Sequence, residues 1–119
     1  MTTNLLTKST AVEFKFLDNL GRKDLSNLLA HGLSDVAPLY PDFYGWLNFK
    51  FISNLPSGKR NLLVAFDDGC PIAYSLLKQD EKESKICTFF INEAYRSLGL
   101  GKDLMTASLQ VLDSSDTFI

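Results

Sequence analysis

Apolar and polar residues first alternate at Val12, Phe14 and Phe16, with Glu13 and Lys15 between them. A period of two predicts a half-buried strand, broken by Asp18, Asn19 and Gly21. Leu25, Leu28, Leu29 and Gly32 then follow at i, i+3, i+4 and i+7. That spacing is one face of a helix, with Asp24 near its start and Gly32 placed to close it. Tyr40-Pro41-Asp42 can open a second helix, with proline in the first turn where its missing donor is harmless. Phe43, Leu47 and Phe51 would share a face, with Tyr44, Trp46 and Phe49 nearby. Trp46 to Phe51 also alternates like a strand, and the helix is the preferred reading. Leu55-Pro56-Ser57-Gly58 ends it.

Two short apolar runs follow, Asn61 to Phe66 and Pro71 to Leu77, around Asp67-Asp68-Gly69. They predict a hairpin. Ile86 to Ile91 is nearly continuous in apolar residues, as expected of a central strand covered on both faces. A loop from Asn92 to Leu98 leads to a further helix, whose core face is expected at Met105, Leu109 and Leu112, with Leu104 and Ser108 beside it. Asp113 to Asp116 should end that helix, and Thr117 to Ile119 looks like the start of a strand. The order β-α-α-β-β-β-α-(β) predicts an α/β domain of the α+β type, with a mixed, mainly antiparallel sheet flanked by helices.

Composition narrows the function. The 119 residues suit one domain, and a content of 45% hydrophobic and 22% charged residues is that of a folded globular chain. A net charge of -2 and a pI near 5.2 argue against a nucleic-acid binder. No apolar run reaches the ~18 residues of a membrane span, and Met1 to Thr10 does not resemble a secretory signal. Lys78 to Lys85 alternates in sign and reads as a solvated turn. Cys70, Cys87 and the single His31 are too few for a zinc site. Both thiols are expected to be buried or half-buried in a reducing cytoplasm. His31 reads as a helix-end residue, and Asp67 and Asp68 as turn formers.

The chemistry concentrates between Thr88 and Met105. Gly99 and Gly101 stand at the mouth of a helix whose first amides lack intrahelical partners, and Arg96 and Lys102 add positive charge. Together they suggest a phosphate or pyrophosphate cradle. A Walker A loop would need glycine at Arg96 and Ser or Thr at Asp103, and a dinucleotide fingerprint would need glycine at Leu104. Neither pattern is met. Arg96-Ser97-Leu98-Gly99-Leu100-Gly101, after Tyr95, does fit Arg-x-x-Gly-x-Gly.

With this motif between an apolar strand and an amphipathic helix, the chain resembles the GCN5-related N-acetyltransferase family from about Val12 to Ile119. The resemblance implies an acyl-CoA N-acyltransferase fold using acetyl-CoA, or another acyl-CoA, as cosubstrate and no metal. Backbone amides of Ser97, Leu98, Gly99, Leu100, Gly101 and Lys102 would hold the pyrophosphate. Phe89, Phe90 and Ile91 would offer backbone groups to the pantetheine arm. An amide of Phe89 or Ile91 would polarise the acetyl carbonyl, and Glu93 is the candidate base for a primary amine acceptor of unstated type. A valine at Gly99 or Gly101 would block the phosphate. Tyr95 does not occupy the place of the family's tyrosine acid.

The family continues through a full fifth strand, a fourth helix and two more strands, so the 119 residues are expected to lack that half. The alternative is a non-catalytic module that binds CoA or pairs with another copy through its incomplete fifth-strand edge. The set Tyr40, Phe43, Tyr44, Trp46, Phe49 and Phe51 reads first as core, and second as a wall facing the acceptor. Arg96 alone reads as either a phosphate contact or a surface ion pair.

Overall fold

The computed structural model describes residues 12–17, 20–96 and 99–116, with side chains as far as 112. The N-terminal segment, the break at Asp18 and Asn19, the motif residues Ser97 and Leu98, and the strand start at Thr117 to Ile119 lie outside the described residues.

Four strands form one sheet in the order β1-β2-β3-β4: β1 (Val12–Phe16), β2 (Arg60–Asp67), β3 (Cys70–Gln79) and β4 (Ser84–Ile91). Every pairing is antiparallel, running Val12 opposite Asp67, Asp67 opposite Cys70 and Ala73 opposite Ile91. The β2–β3 hairpin turns on Asp68 and Gly69, with φ of 53° and 83°. Two consecutive positive φ values match the right-handed twist of the strands, which is why Asp-Gly closes so tight a turn. β1 is more exposed than its alternation predicts, for Phe14 and Phe16 are 36% and 49% accessible.

Helix α1 (Arg22–Gly32) begins after Gly21, which is extended at φ −64°, ψ 157°, and carries Asp24 in its first turn and His31 in its last. Asp24 in the first turn suits the helix dipole. Leu25, Leu29 and Leu33 are buried against the sheet, each worth about 1.5–3 kcal/mol of burial. Gly32 does not close the helix through a left-handed turn. A Cβ there would stand 2.1 Å from the Tyr74 hydroxyl, so the glycine makes room for a buried ring on β3.

Pro41 likewise falls just outside helix α2 (Phe43–Trp46), whose N-cap is Asp42 in the left-handed region at φ 52°. The chain continues as a π-helical turn, Leu47–Phe51, and a 3-10 turn, Ile52–Asn54. The wider turn lets Phe43, Leu47, Phe51 and Ile52 all reach the core. Of the aromatic set, Phe43 and Phe51 are core and Trp46 packs against it, whereas Tyr40, Tyr44 and Phe49 are exposed. Aromatic contacts run Tyr40–Phe43–Trp46–Phe51.

Helix α3 (Leu100–Asp116) covers the opposite sheet face. Its buried residues are Leu100, Leu104, Ser108 and Leu112, while Met105 and Leu109 are exposed. The core face is therefore rotated by one residue from the expected one. A polar pair explains the rotation, because the fully buried Ser75 and Ser108 hydroxyls meet at 2.7 Å and Ser108 also donates to the Leu104 carbonyl at 2.8 Å. A buried hydroxyl is tolerated only with such partners. Strand β4 pairs with β3 alone among the described residues and is half-buried for most of its length. Among the described residues it therefore stands last in the sheet, and the neighbour expected from Thr117 onward lies outside them. Cys70 is exposed at the hairpin, not buried, and Cys87 is half-buried. Among the described residues, no helix is long and apolar enough to cross a membrane.

Candidate functional site

The end of β4 and the beginning of α3 meet at one corner of the sheet. The Asn92 amide donates to the Ile72 carbonyl at 2.8 Å, which sets the alternation along β4. Where Asn92 bonds towards β3, Ile91 and Phe89 point their backbone N–H and C=O groups away from it, and Phe90 points inward. The side chains alternate too. Phe89 and Ile91 pack on the α3 face, and Phe90 on the α1–α2 face.

A tight 3-10 turn, Glu93–Tyr95, follows, capped by the Asn92 side chain, which accepts from the Ala94 amide at 3.0 Å. The Tyr95 hydroxyl donates to Asp67 Oδ2 at 2.5 Å, tying this turn to the β2–β3 hairpin. That bond, and then burial, raise the Tyr95 pKa above its ordinary value. The neutral phenol is therefore a structural tie at ordinary pH. Asp67 was legible only as a turn former, because its partner becomes visible once the strands are in register.

Arg96 forms no ion pair among the described residues. Its guanidinium lies over the Phe90 ring, 5.3 Å from the centroid, and Nε donates to the Ile91 carbonyl at 2.9 Å. The cation–π contact and the hydrogen bond hold it along the β4 edge. Of the outward-facing groups at Phe89 and Ile91, the Ile91 carbonyl is thus already engaged. Glu93 is exposed in the turn two residues beyond Ile91.

The two glycines serve different needs. Gly99 has φ 79°, and a Cβ there would meet no described residue within 4 Å. It supplies a left-handed residue. At Gly101 a Cβ would come within 2.9 Å of Ile91 Cδ1, so this glycine lets α3 pack against the end of β4. The expected block of a phosphate by valine applies at Gly101 only after this packing conflict. The first bond of α3 runs from the Asp103 amide to the Gly99 carbonyl at 3.3 Å. The amides of Leu100, Gly101 and Lys102 are thereby left without intrahelical partners, at the positive end of a 17-residue helix. Lys102 is exposed on that turn and the Leu100 side chain is buried beneath it. The residues expected to act together, Phe89 to Ile91, Arg96 and Gly99 to Lys102, do converge on one corner.

A family model for the acetyltransferase (GNAT) family matches residues 23–117. No curated protein sequence is significantly similar to the chain. Among solved structures, the PaiA N-acetyltransferase of Thermoplasma acidophilum, in complex with coenzyme A, superposes with a TM-score of 0.60 at 19% identity, over 88% of this chain and 74% of that one. A protein of Clostridium acetobutylicum described as a predicted acetyltransferase, with acetyl-CoA, gives a TM-score of 0.70 at 13% identity, over 88% and 75%. A ribosomal-protein-alanine N-acetyltransferase of Brucella melitensis biovar Abortus 2308 gives 0.62 at 17%, over 89% and 74%. At these identities the likeness is one of fold, and the family model supplies the rest. The chain belongs to the acetyltransferase (GNAT) family.

Proposed function

We propose that this chain binds acetyl-CoA along the open edge of β4 and transfers the acetyl group to a primary amine. The observation that carries the reading is the convergence of outward backbone groups at Phe89 and Ile91 with the first-turn amides of α3, which have no intrahelical partner. The corner suits such a ligand, since no described residue crowds Gly99 and three amides point from one helix end.

In this reading the amides of Leu100 to Lys102, with the Lys102 ammonium, hold the pyrophosphate. The Phe89 and Ile91 edge groups hold the arm, with Phe90 and Arg96 fixing the strand beside it. Bound acetyl-CoA supplies the thioester. A Phe89 or Ile91 N–H donates to the acetyl carbonyl oxygen as negative charge builds there, a preorganised contact that needs no rearrangement. The amine nitrogen bonds to the carbonyl carbon as the carbon–sulfur bond breaks. The acceptor arrives as an ammonium and gives one proton to Glu93; after attack the nitrogen sheds a second proton to the departing thiolate, leaving the amide and the free thiol, and Glu93 returns its proton to solvent. No metal takes part in this scheme.

A second reading draws on the β4 edge, which has no partner strand among the described residues and would instead pair with another copy of the chain. Thiol release from acetyl-CoA in the presence of a panel of primary amines separates the two. Amine-dependent release, with the N-acetyl product seen by mass spectrometry, is the expected result. Release that ignores the amine, or a folded dimer that releases none, would overturn the proposal in favour of the pairing module.

A further inference from the structure

On the α1–α2 face of the sheet lies a second feature, a cavity of about 400 Å³. One wall is Tyr40, Phe43 and Trp46, and the other carries Arg60, Lys78 and Lys85. The three cations are not scattered. Arg60 stands directly opposite Lys78 in the β2–β3 register, and Lys78 directly opposite Lys85 in the β3–β4 register. A row of three like charges across adjacent strands destabilises a sheet.

Nearby carboxylates compensate in part. Glu83 bonds Lys78 at 2.8 Å and lies 3.5 Å from Lys85, and Asp80 lies 3.6 Å from Lys78. Three cations against two carboxylates leave one positive charge over. Arg60 spends one Nη1 donor on the Lys59 carbonyl at 3.1 Å, while its Nε is buried without a hydrogen-bond partner among the described residues. Cys87, the extra β4 residue where the register shifts, also lines the cavity, and burial keeps its thiol protonated. It therefore adds no negative charge. Thr88 completes that wall and leads straight into Phe89, where the acetyl group is placed above.

We infer that this cavity takes an acceptor amine bearing a carboxylate or phosphate on an apolar or aromatic body, and discriminates against polycationic amines. The inference rests on the acetyl-transfer reading for the word acceptor, but the binding chemistry stands by itself. The anion offsets the unbalanced row Arg60–Lys78–Lys85, and the body lies on the aromatic wall.

Trp46 is the chain's only tryptophan and lines the cavity, so its fluorescence reports occupancy. The full chain is titrated, with and without acetyl-CoA, with L-phenylalanine (carboxylate arm), O-phosphoethanolamine (phosphate arm), phenethylamine and spermidine. Saturable quenching by at least one anionic probe, at least tenfold tighter than by phenethylamine or spermidine, is expected. Lys85→Gln should weaken that probe about tenfold, while Lys82→Gln, in the turn away from the cavity, should not. Equal binding of phenethylamine or spermidine, or no saturation by either anionic probe, overturns the inference. Because the readout does not need acetyl-CoA, its failure is distinct from failure of acetyl-CoA to bind.

Discussion

Gly32→Ala will destabilise the domain by about 3 kcal/mol, against the direction that helix propensity alone predicts. Alanine is ordinarily better than glycine within a helix by about 1 kcal/mol. Here the added methyl would fall 2.1 Å from the Tyr74 hydroxyl and 2.3 Å from Cζ. Tyr74 is 4% exposed and belongs to the cluster with Leu29, Leu33 and Phe51, so its ring has no free space to enter. Overpacking a tight site costs about 1–3 kcal/mol, and expelling an aromatic ring costs about as much again. At about 4–8 °C per kcal/mol, the melting temperature should fall by roughly 12–24 °C. Combining Gly32→Ala with Tyr74→Leu should cost less than the two changes added, as contacting residues do. An unchanged or raised melting temperature in the single variant would contradict the packing.

The second large effect concerns the site. Gly99→Val places a β-branched residue at φ 79°, where L side chains carry a strain of about 1–2 kcal/mol. No described residue lies within 4 Å of its Cβ, so no described packing contact is lost. The strain is relieved by turning the backbone, and that turns the Leu100 to Lys102 amides away from their common direction. Affinity for acetyl-CoA should fall by a factor on the order of 100, about 2.7 kcal/mol, with the fold retained. Gly101→Ala is the contrasting variant, because its Cβ meets only the terminal methyl of Ile91, which can move. It should bind within a few-fold of the parent chain. Equal losses in both variants, measured by titration calorimetry, would mean that the backbone at Gly99 has no special part.

These contrasts mark what was legible in the sequence. The hairpin could be read because Asp68-Gly69 encodes its own turn, and the corner at Gly99 because glycine, helix start and strand end are neighbours along the chain. Three features depended on partners far away. Gly32 looks like a helix stop until Tyr74 is seen above it. The buried face of α3 was read one residue away, because Ser108 is polar and its partner Ser75 sits on β3. Met105 and Leu109 had the right spacing and the wrong side.

β4 is apolar at alternate and intervening positions alike, which is how a doubly covered strand reads. Its described neighbours leave one edge open. Lys78 and Lys85 read as members of a solvated turn. Only the register aligns them with Arg60 as a row across three strands.

The central claim is that the corner between β4 and α3 holds acetyl-CoA, and calorimetric titration of the chain beside its thermal melt tests it most directly. The account predicts binding of one equivalent. At ~100 times the dissociation constant, the ligand should add about 2.7 kcal/mol of stability and raise the melting temperature accordingly. A cooperatively melting chain that shows neither binding heat nor a shift at millimolar acetyl-CoA would contradict it.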